Sequence, residues 1–372
     1  MRQVRFVMVG GFLGSGKTTL LAKAAERLAA AGQRVGLITN DQAANLVDTA
    51  ILGDTGVPIQ EVSGGCFCCR FQDLLKAAET LLAQAQPDVV IGEPVGSCTD
   101  LSATVLQPIK QAHGDRFRMA PFSVLVDVNQ VRALDRIRQS LGVEAKPRFP
   151  ANVMYIYRKQ LEEADVIVLN KADLLPAGEL AAVEATLRRE FSGAPLFTVS
   201  AIRGDGVEEW LEFVMQDRPA GQTIAEVDYD EYAAGEAALG WLNAEVRLRG
   251  SPRADWQRFA RHLLERLRAE LDAEGAQVAH VKLRLSDGAQ SLVANLTGND
   301  GPAAVRGAMA AGSPSAVLVF NARVHVAPDR LREVFERSLA GAAGSEARVE
   351  GADVRSFSPA RPEPTHRFKT VV

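Results

Sequence analysis

Along the first 217 residues, short runs of almost unbroken apolar character recur, and most are followed by a stretch whose apolar positions repeat at helical spacing. The runs cover 4–9, 34–39, 87–92, 123–127, 165–170 and 195–200; the helical stretches cover 17–31, 71–85, 177–191 and 207–215. A strand that polar residues do not interrupt is buried on both faces, as in a parallel sheet. Strand and helix in alternation put helices on both sides of that sheet, so the pattern predicts an α/β domain of nucleotide-binding type over residues 1–217.

The rhythm breaks at residue 216. Arg218-Pro219-Ala220-Gly221-Gln222 and the acidic stretch 226–231 predict a linker over 218–237. Beyond it come an alternating strand candidate (241–249), a charged amphipathic helix (253–274), strands 278–285 and 291–296 around Ser286-Asp287-Gly288, a strand (316–326) and a helix (329–339). The order β-α-β-β-β-α predicts a smaller α+β C-terminal domain, an open sheet with helices on one face, over 238–341. Residues 342–372, with Gly341, Gly344, Pro359, Pro362 and Pro364 in and around them, read as an extended tail. The sequence contains no internal repeat.

Composition narrows the function. The 42 Lys+Arg against 46 Asp+Glu leave a net charge of −4, which excludes an overall basic nucleic-acid binder. The apolar run at 4–9 is too short for a signal peptide, and no stretch approaches the ~20 apolar residues of a membrane span. The expectation is a cytoplasmic protein with neither a nucleic acid nor a membrane as partner. Four cysteines in 372 residues are too few for a disulfide scaffold, and Cys66, Cys68 and Cys69 fall within four positions while Cys98 stands apart. Neighbouring thiols point to metal or redox chemistry.

Gly11-Phe12-Leu13-Gly14-Ser15-Gly16-Lys17-Thr18 fits G-x-x-x-x-G-K-[ST] and falls between the first strand and the first helix. Glycines let backbone N–H groups converge on phosphate oxygens, the helix N-terminus adds its positive end, Lys17 reaches the terminal phosphates and the Thr18 hydroxyl ligates Mg²⁺. Thr19 completes the candidate phosphate site. Asn170-Lys171-Ala172-Asp173 closes a later strand and matches N-K-x-D, in which the Asp carboxylate accepts two hydrogen bonds from guanine that adenine cannot supply, so GTP is expected over ATP. Ser200 and Ala201 resemble the loop that backs the guanine O6. Between these motifs, the strand ending in Glu93-Pro94-Val95-Gly96 offers a carboxylate for the Mg²⁺ shell or the attacking water, and Gly96 lets the backbone approach the γ-phosphate. Lys17, Asp41 and Glu93 are the candidate catalytic residues. Asp127 reads as structural.

Taken together, G-G-F-L-G-S-G-K-T-T (10–19), G-G-C-F-C-C (64–69), E-P-V-G (93–96) and N-K-A-D (170–173) resemble the CobW/HypB/UreG family of P-loop GTPases, and within it the CobW-like metallochaperones. The resemblance covers residues 1 to about 215. It implies a doubly wound parallel sheet, slow GTP hydrolysis with Mg²⁺ held by Thr18, Asp41 and Glu93, and a transition metal, Zn²⁺ or Co²⁺, on Cys66, Cys68 and Cys69. The residues agree independently: Gly64-Gly65 frees the backbone to bring three sulfurs to one centre, and three thiolates leave a tetrahedral metal one open position, which suits a carrier. A closed zinc staple would need a fourth protein ligand. Cys98 could fill it, although a buried free thiol explains that residue as well, and close thiols can also oxidise.

The sequence departs from CobW-like members after the second strand, where Asn40-Asp41 stands in place of N-E and is closer to the urease-maturation branch. Asp48 fits a solvated loop as well as a functional role. His113 could reach a metal near the nucleotide; His280 and His325 fall in strand candidates; His366 belongs to the tail. The function expected is a GTP-hydrolysing metallochaperone whose C-terminal domain offers the surface for a client protein or a homodimer. Two alternatives belong to other classes: a GTP-dependent chaperone of a corrinoid or other cofactor enzyme, and a P-loop kinase of a small molecule, which would have no need of N-K-A-D.

Overall fold

The structure is a computed structural model that describes residues 3–41, 47–53, 55–132, 134, 137, 139, 142, 149–252, 254–299, 303–344 and 346–372. The described residues of 1–44, 52–235 and 361–372 form one compact unit, and those of 45–51 and 236–360 a second.

The first unit is built on eight strands: β1 (Val4–Gly11), β2 (Val35–Asn40), β3 (Ile59–Val62), β4 (Val89–Glu93), β5 (Phe117–Met119), β6 (Ser123–Asp127), β7 (Val166–Asn170) and β8 (Leu196–Thr198). Their order is β3-β2-β4-β1-β6-β7-β8, and every pairing is parallel. The strand order reverses at β1, so loops leaving the C-terminal ends of β1 and its neighbours share one crevice. β5 pairs with the first half of β1 and β6 with the second half. Between them Ala120 still donates to the Phe6 carbonyl at 2.8 Å, but Pro121 has no N–H with which to continue the ladder. Helix Lys17–Ala30 buries Leu20, Leu21, Ala24, Ala25 and Leu28, a stripe at the 3.6-residue period.

The second unit is an antiparallel sheet of β9 (Gly240–Gly250), β10 (Gln277–Ser286), β11 (Ser291–Leu296), β12 (Ala304–Ala308), β13 (Ser315–His325) and β14 (Ala347–Phe357), in the order β12-β11-β10-β13-β9-β14. Helices Trp256–Ala273 and Pro328–Ala343 share its apolar core. The fold class is thus the predicted one: an α/β parallel-sheet unit and a smaller α+β unit. Among the described residues no helix is long and apolar enough to cross a membrane.

Two expected segments are otherwise. Residues 342–372 are not an extended tail: the helix runs on to Ala343, β14 forms an edge of the second sheet, and 361–372 belong to the first unit. β14 escapes notice because most of its side chains are exposed, so its sequence lacks the alternation of a half-buried strand. The expected linker 218–237 is also ordered structure. The Asp165 carboxylate accepts the Gly221 and Gln222 N–H groups at 2.5 and 2.8 Å, and Tyr229–Ala237 is a helix with Tyr232 fully buried.

Candidate functional site

The phosphate-loop segment leaves β1 with three glycines in the left-handed region: Gly11 (φ 132°), Gly14 (φ 76°) and Gly16 (φ 97°). Two of them are also pinned by neighbours. A Cβ on Gly11 would stand 2.2 Å from the Leu125 carbonyl oxygen, and one on Gly16 would stand 2.4 Å from Asn170 Nδ2. Lys17 Nζ is buried and donates to Gly11 O at 2.8 Å, which places the ammonium across the mouth of the loop. Gln130 Nε2 holds the outer side of the loop through Leu13 O at 2.9 Å. Ser15 is fully buried and Thr19 half-buried.

The strand-end acid comes to the same place. Thr18 Oγ1 donates to Glu93 Oε1 at 3.0 Å, both residues being buried. Gly96 packs so closely that a Cβ there would be 2.8 Å from Leu13 Cδ2 and 3.1 Å from Leu13 Cα. Gln160, from helix Ala151–Glu162, donates to Gly96 O and Cys98 O at 3.0 and 2.7 Å, fixing this loop from behind. Asp41, at the end of β2, donates its N–H to Val62 O at 3.2 Å. The residues that follow it, 42–46, lie outside the described residues. Asp48 pairs with Lys282, within the second unit.

At the base-binding end, Asn170 Nδ2 donates to Ser15 O at 2.8 Å and Asn170 Oδ1 accepts from Ala201 N at 3.0 Å, so one side chain joins the phosphate loop to the loop after β8. Ser200 Oγ donates to Asp173 Oδ1 at 2.6 Å. Lys171 takes a left-handed φ of 63°, and its Nζ donates to Asp127 Oδ2 at 2.5 Å. Asp127 also accepts from Asn129 N at 2.7 Å, capping the turn after β6.

The cysteines sit where β3 gives way to helix Phe71–Ala85. Gly64 and Gly65 both have positive φ, and the Cys66 carbonyl accepts from Cys69 N and Arg70 N at 3.0 and 2.8 Å, which coils the segment into a turn. The sulfurs of Cys66, Cys68 and Cys69 lie 2.7, 3.2 and 3.7 Å apart, and this trio is the group of His, Cys and acidic side chains among the described residues that could hold a metal. His113 ends helix Gln107–His113 and does not belong to the cysteine trio. Protons are shared unevenly. Hydrogen bonds from Cys68, then Cys69 and Cys98, hold the Cys66 thiol well below its ordinary range. The same bonds, led by that to Cys66, together with burial, push Cys68 well up, and Cys69 is pushed up to about 11 chiefly by its bond to Cys66.

Three features of this loop and of the neighbouring segment 96–98 went unread in the sequence. Asn40 Nδ2 donates to Val62 O and Gly65 O at 2.9 and 2.7 Å while its Oδ1 accepts from Phe67 N at 2.8 Å, tying the end of β2 to the cysteine turn. The chain end returns as a strap: Thr365 N and Oγ1 donate to Cys68 O and Cys69 O at 2.9 and 3.2 Å, and the His366 ring stands edge-on to Phe71, 5.1 Å between centroids. Farther along, Arg367 bonds the buried Asp100 carboxylate at 2.6 Å, and Phe368 N donates to Ala103 O at 3.0 Å. Gln160 is the third. Its helix carries a readable signal in the apolar spacing of Val153, Ile156, Tyr157 and Leu161 after Pro150.

A glycine-shaped loop between β1 and a helix, an N-K-x-D network and a strand-end glutamate on the loop threonine define a GTP-binding P-loop protein. The chain belongs to the CobW/HypB/UreG family, whose nucleotide-binding domain matches residues 5–198. Among curated proteins it is similar to the zinc chaperone CobW of Sinorhizobium sp, 29% identical over 207 residues covering 50% of this chain and 56% of that one. The zinc chaperone YeiR of Escherichia coli (strain K12) is 30% identical over 168 residues, 45% of this chain and 46% of its own. The chain spans about half the length of the curated relatives it matches. Among solved structures, the Zn(II)-bound YjiA GTPase from E. coli aligns over 91% of this chain and 99% of its own at 20% identity, with a TM-score of 0.39.

Proposed function

We propose that this chain hydrolyses GTP and uses the cycle to take up a transition metal on Cys66, Cys68 and Cys69 and pass it to a client protein. The observation that carries the reading is the Asn40 clamp: the metal-capable turn hangs on the residue next to Asp41, at the strand end that faces the nucleotide crevice. In this reading the backbone N–H groups of 11–18 and the helix N-terminus hold the β- and γ-phosphates. Lys17 brings its ammonium to the charge that develops on the transferred phosphoryl group. Asp173 reads guanine, with Asn170, Lys171, Ser200 and Ala201 shaping the base pocket and Gly96 flanking the phosphates. Glu93 or Asp41 orients the attacking water.

The donors suit their ions. Thr18 and Glu93 present buried hard oxygens 3.0 Å apart, and with Asp41 they would hold Mg²⁺, which neutralises phosphate charge when bound. For the cargo, Zn–S bonds of about 2.3 Å in a tetrahedron require sulfurs about 3.8 Å apart. The Cys68–Cys69 spacing of 3.7 Å already meets that, and Cys66 need draw back by only about an ångström. Zn²⁺ is favoured by the relatives named zinc chaperones, with Co²⁺ a second soft-site candidate. Thiols that must stay reduced to take up a metal suit a reducing compartment, the cytoplasm. The client, or a second copy of the chain, docks on the C-terminal unit.

The test is metal affinity of the reduced chain with and without a non-hydrolysable GTP analogue. The expected ratio is about 5–150-fold, with metal changing GTP affinity by the same factor. Equal affinities in both states would sink the proposal.

A further inference from the structure

An extended segment outside helices and sheets is held loosely unless its groups find partners. The strap finds them at both ends. Thr365 N and Oγ1 donate to Cys68 O and Cys69 O at 2.9 and 3.2 Å, Arg367 Nε to Asp100 Oδ2 at 2.6 Å, Phe368 N to Ala103 O at 3.0 Å and Val372 N to Gln107 Oε1 at 3.0 Å. The seat of Arg367 is shaped for it. Asp100 is fully buried, its backbone takes a left-handed φ of 64°, and Tyr229 OH donates to the same Oδ2 at 2.8 Å. That conformation is uncommon outside glycine and persists where the surroundings over-determine it, and a buried carboxylate needs a counter-charge. At the other end, Cys66 and Cys68 are only 5% and 2% exposed, so an incoming ion or ligand reaches those sulfurs only when the turn moves. The first half of the turn is tied by Asn40 through Gly65 O and Phe67 N; the second half, at Cys68 and Cys69, is tied by Thr365.

We propose that the strap is a latch on the cysteine turn, with Thr365 and Arg367 as its positioning residues. Seated, it holds the main chain of Cys68 and Cys69 in the closed turn; lifted, it lets their sulfurs swing out to receive or surrender a metal. The inference rests on the metallochaperone reading above for its cargo, but the latch acts on the thiols with or without a metal. Its effect is on rate more than on strength, because the same bonds close the turn in the loaded and the empty chain, and loosening them speeds entry and exit alike.

The experiment pulse-labels the reduced, metal-free, full-length chain with a maleimide and identifies the labelled cysteines by peptide mass. Two variants loosen the latch at opposite ends. Thr365→Pro removes both donors to the turn and leaves Asp100 paired, whereas Arg367→Ala removes the counter-charge in the seat. Labelling of Cys68 should rise about tenfold in each, the order expected from losing bonds of ordinary net strength. Cys98, 1% exposed, gauges general loosening and should label as before. Unchanged Cys68 labelling in Thr365→Pro, or a rise of Cys68 and Cys98 together, would overturn the latch. Should Thr365→Pro fail to fold, Thr365→Val, which loses the hydroxyl bond alone, gives the same test at smaller amplitude. Zinc exchange with a chelator is the second arm: uptake and release should quicken by a similar factor and leave affinity nearly unchanged. Faster release with uptake unchanged would mean that the strap serves affinity alone, and would also overturn the latch. A chain that takes up no zinc while Cys68 responds to both variants removes the metallochaperone reading and leaves the latch standing.

Discussion

The phosphate loop and the cysteine loop are both glycine-bearing turns that enter a helix from a strand of the same parallel sheet, yet they are held in opposite ways. In the first, the glycines are gripped: a Cβ on Gly11 or Gly16 would strike a carbonyl or an amide within 2.4 Å. In the second, a Cβ on Gly64 would meet nothing within 4 Å, and one on Gly65 would meet the flexible Arg70 side chain at 3.0 Å and Cys69 Cβ at 4.0 Å. A loop that binds through backbone N–H groups must have its backbone fixed, because each displaced N–H loses its bond to phosphate. A loop that binds through side-chain sulfurs can tolerate slack in its interior provided its rim is clamped, and Asn40 and the Thr365 strap supply that clamp. On the proposed roles, the nucleotide site selects a shape and the metal site a chemistry.

The largest effect should come from removing that chemistry. Replacing Cys66, Cys68 and Cys69 together by Ser should lower zinc affinity by at least ~10⁴-fold, since thiolate sites of this kind are worth about 10–16 kcal/mol and a hydroxyl stays protonated at neutral pH. GTP affinity should hold, and competition with a chromophoric chelator beside nucleotide calorimetry measures both. Next in size is a pair of glycine changes. Gly16→Val should weaken GTP by about a thousandfold, roughly 4 kcal/mol, whereas Gly64→Asn, placing a residue that accepts positive φ where there is room, should leave zinc affinity within about threefold. Equal damage from the two would break the contrast.

A third effect is set by pH. Cys69 carries its proton up to about pH 11 and Cys68 is also pushed up, so metal must displace protons from both. Apparent metal affinity should therefore rise with pH between 6.5 and 8.5, by up to about tenfold per unit for each proton displaced. A pH-independent metal affinity would contradict this protonation pattern. The smallest effect expected is that of Asn40→Ala. It strips partners from Val62 O, Gly65 O and Phe67 N, and should cost about 2–3 kcal/mol of stability and about tenfold in metal affinity. Thermal melts together with a metal titration would show whether the clamp matters to both.

The same contrast explains what the sequence disclosed. Strands buried on both faces and the motifs at their ends stand out because burial and phosphate binding each demand a contiguous pattern. The helical stretches 71–85 and 207–215 coincide with helices of the structure, Phe71–Ala85 and Val207–Met215, for the same reason. β3, four residues with a half-buried Gln60 and Glu61, is too short and too polar to register. Asn40, Gln160 and Thr365 act through single side chains on distant loops or helices, and no local spacing reports a contact made across some twenty to three hundred residues.

The first unit is completed only after the chain has passed through residues 236–360 of the second. Arg361, where the chain re-enters, bonds Asp230 at 2.8 Å, close to where the chain departs after Gly235. In the language of protein engineering, residues 236–360 are a cassette inserted between Gly235 and Arg361 of the first unit, which also lends residues 45–51 to the second. Exchange of such a cassette leaves the strap on the cysteine turn, because Thr365, Cys68 and Cys69 all belong to the first unit, but the replacement must keep a seat for residues 45–51.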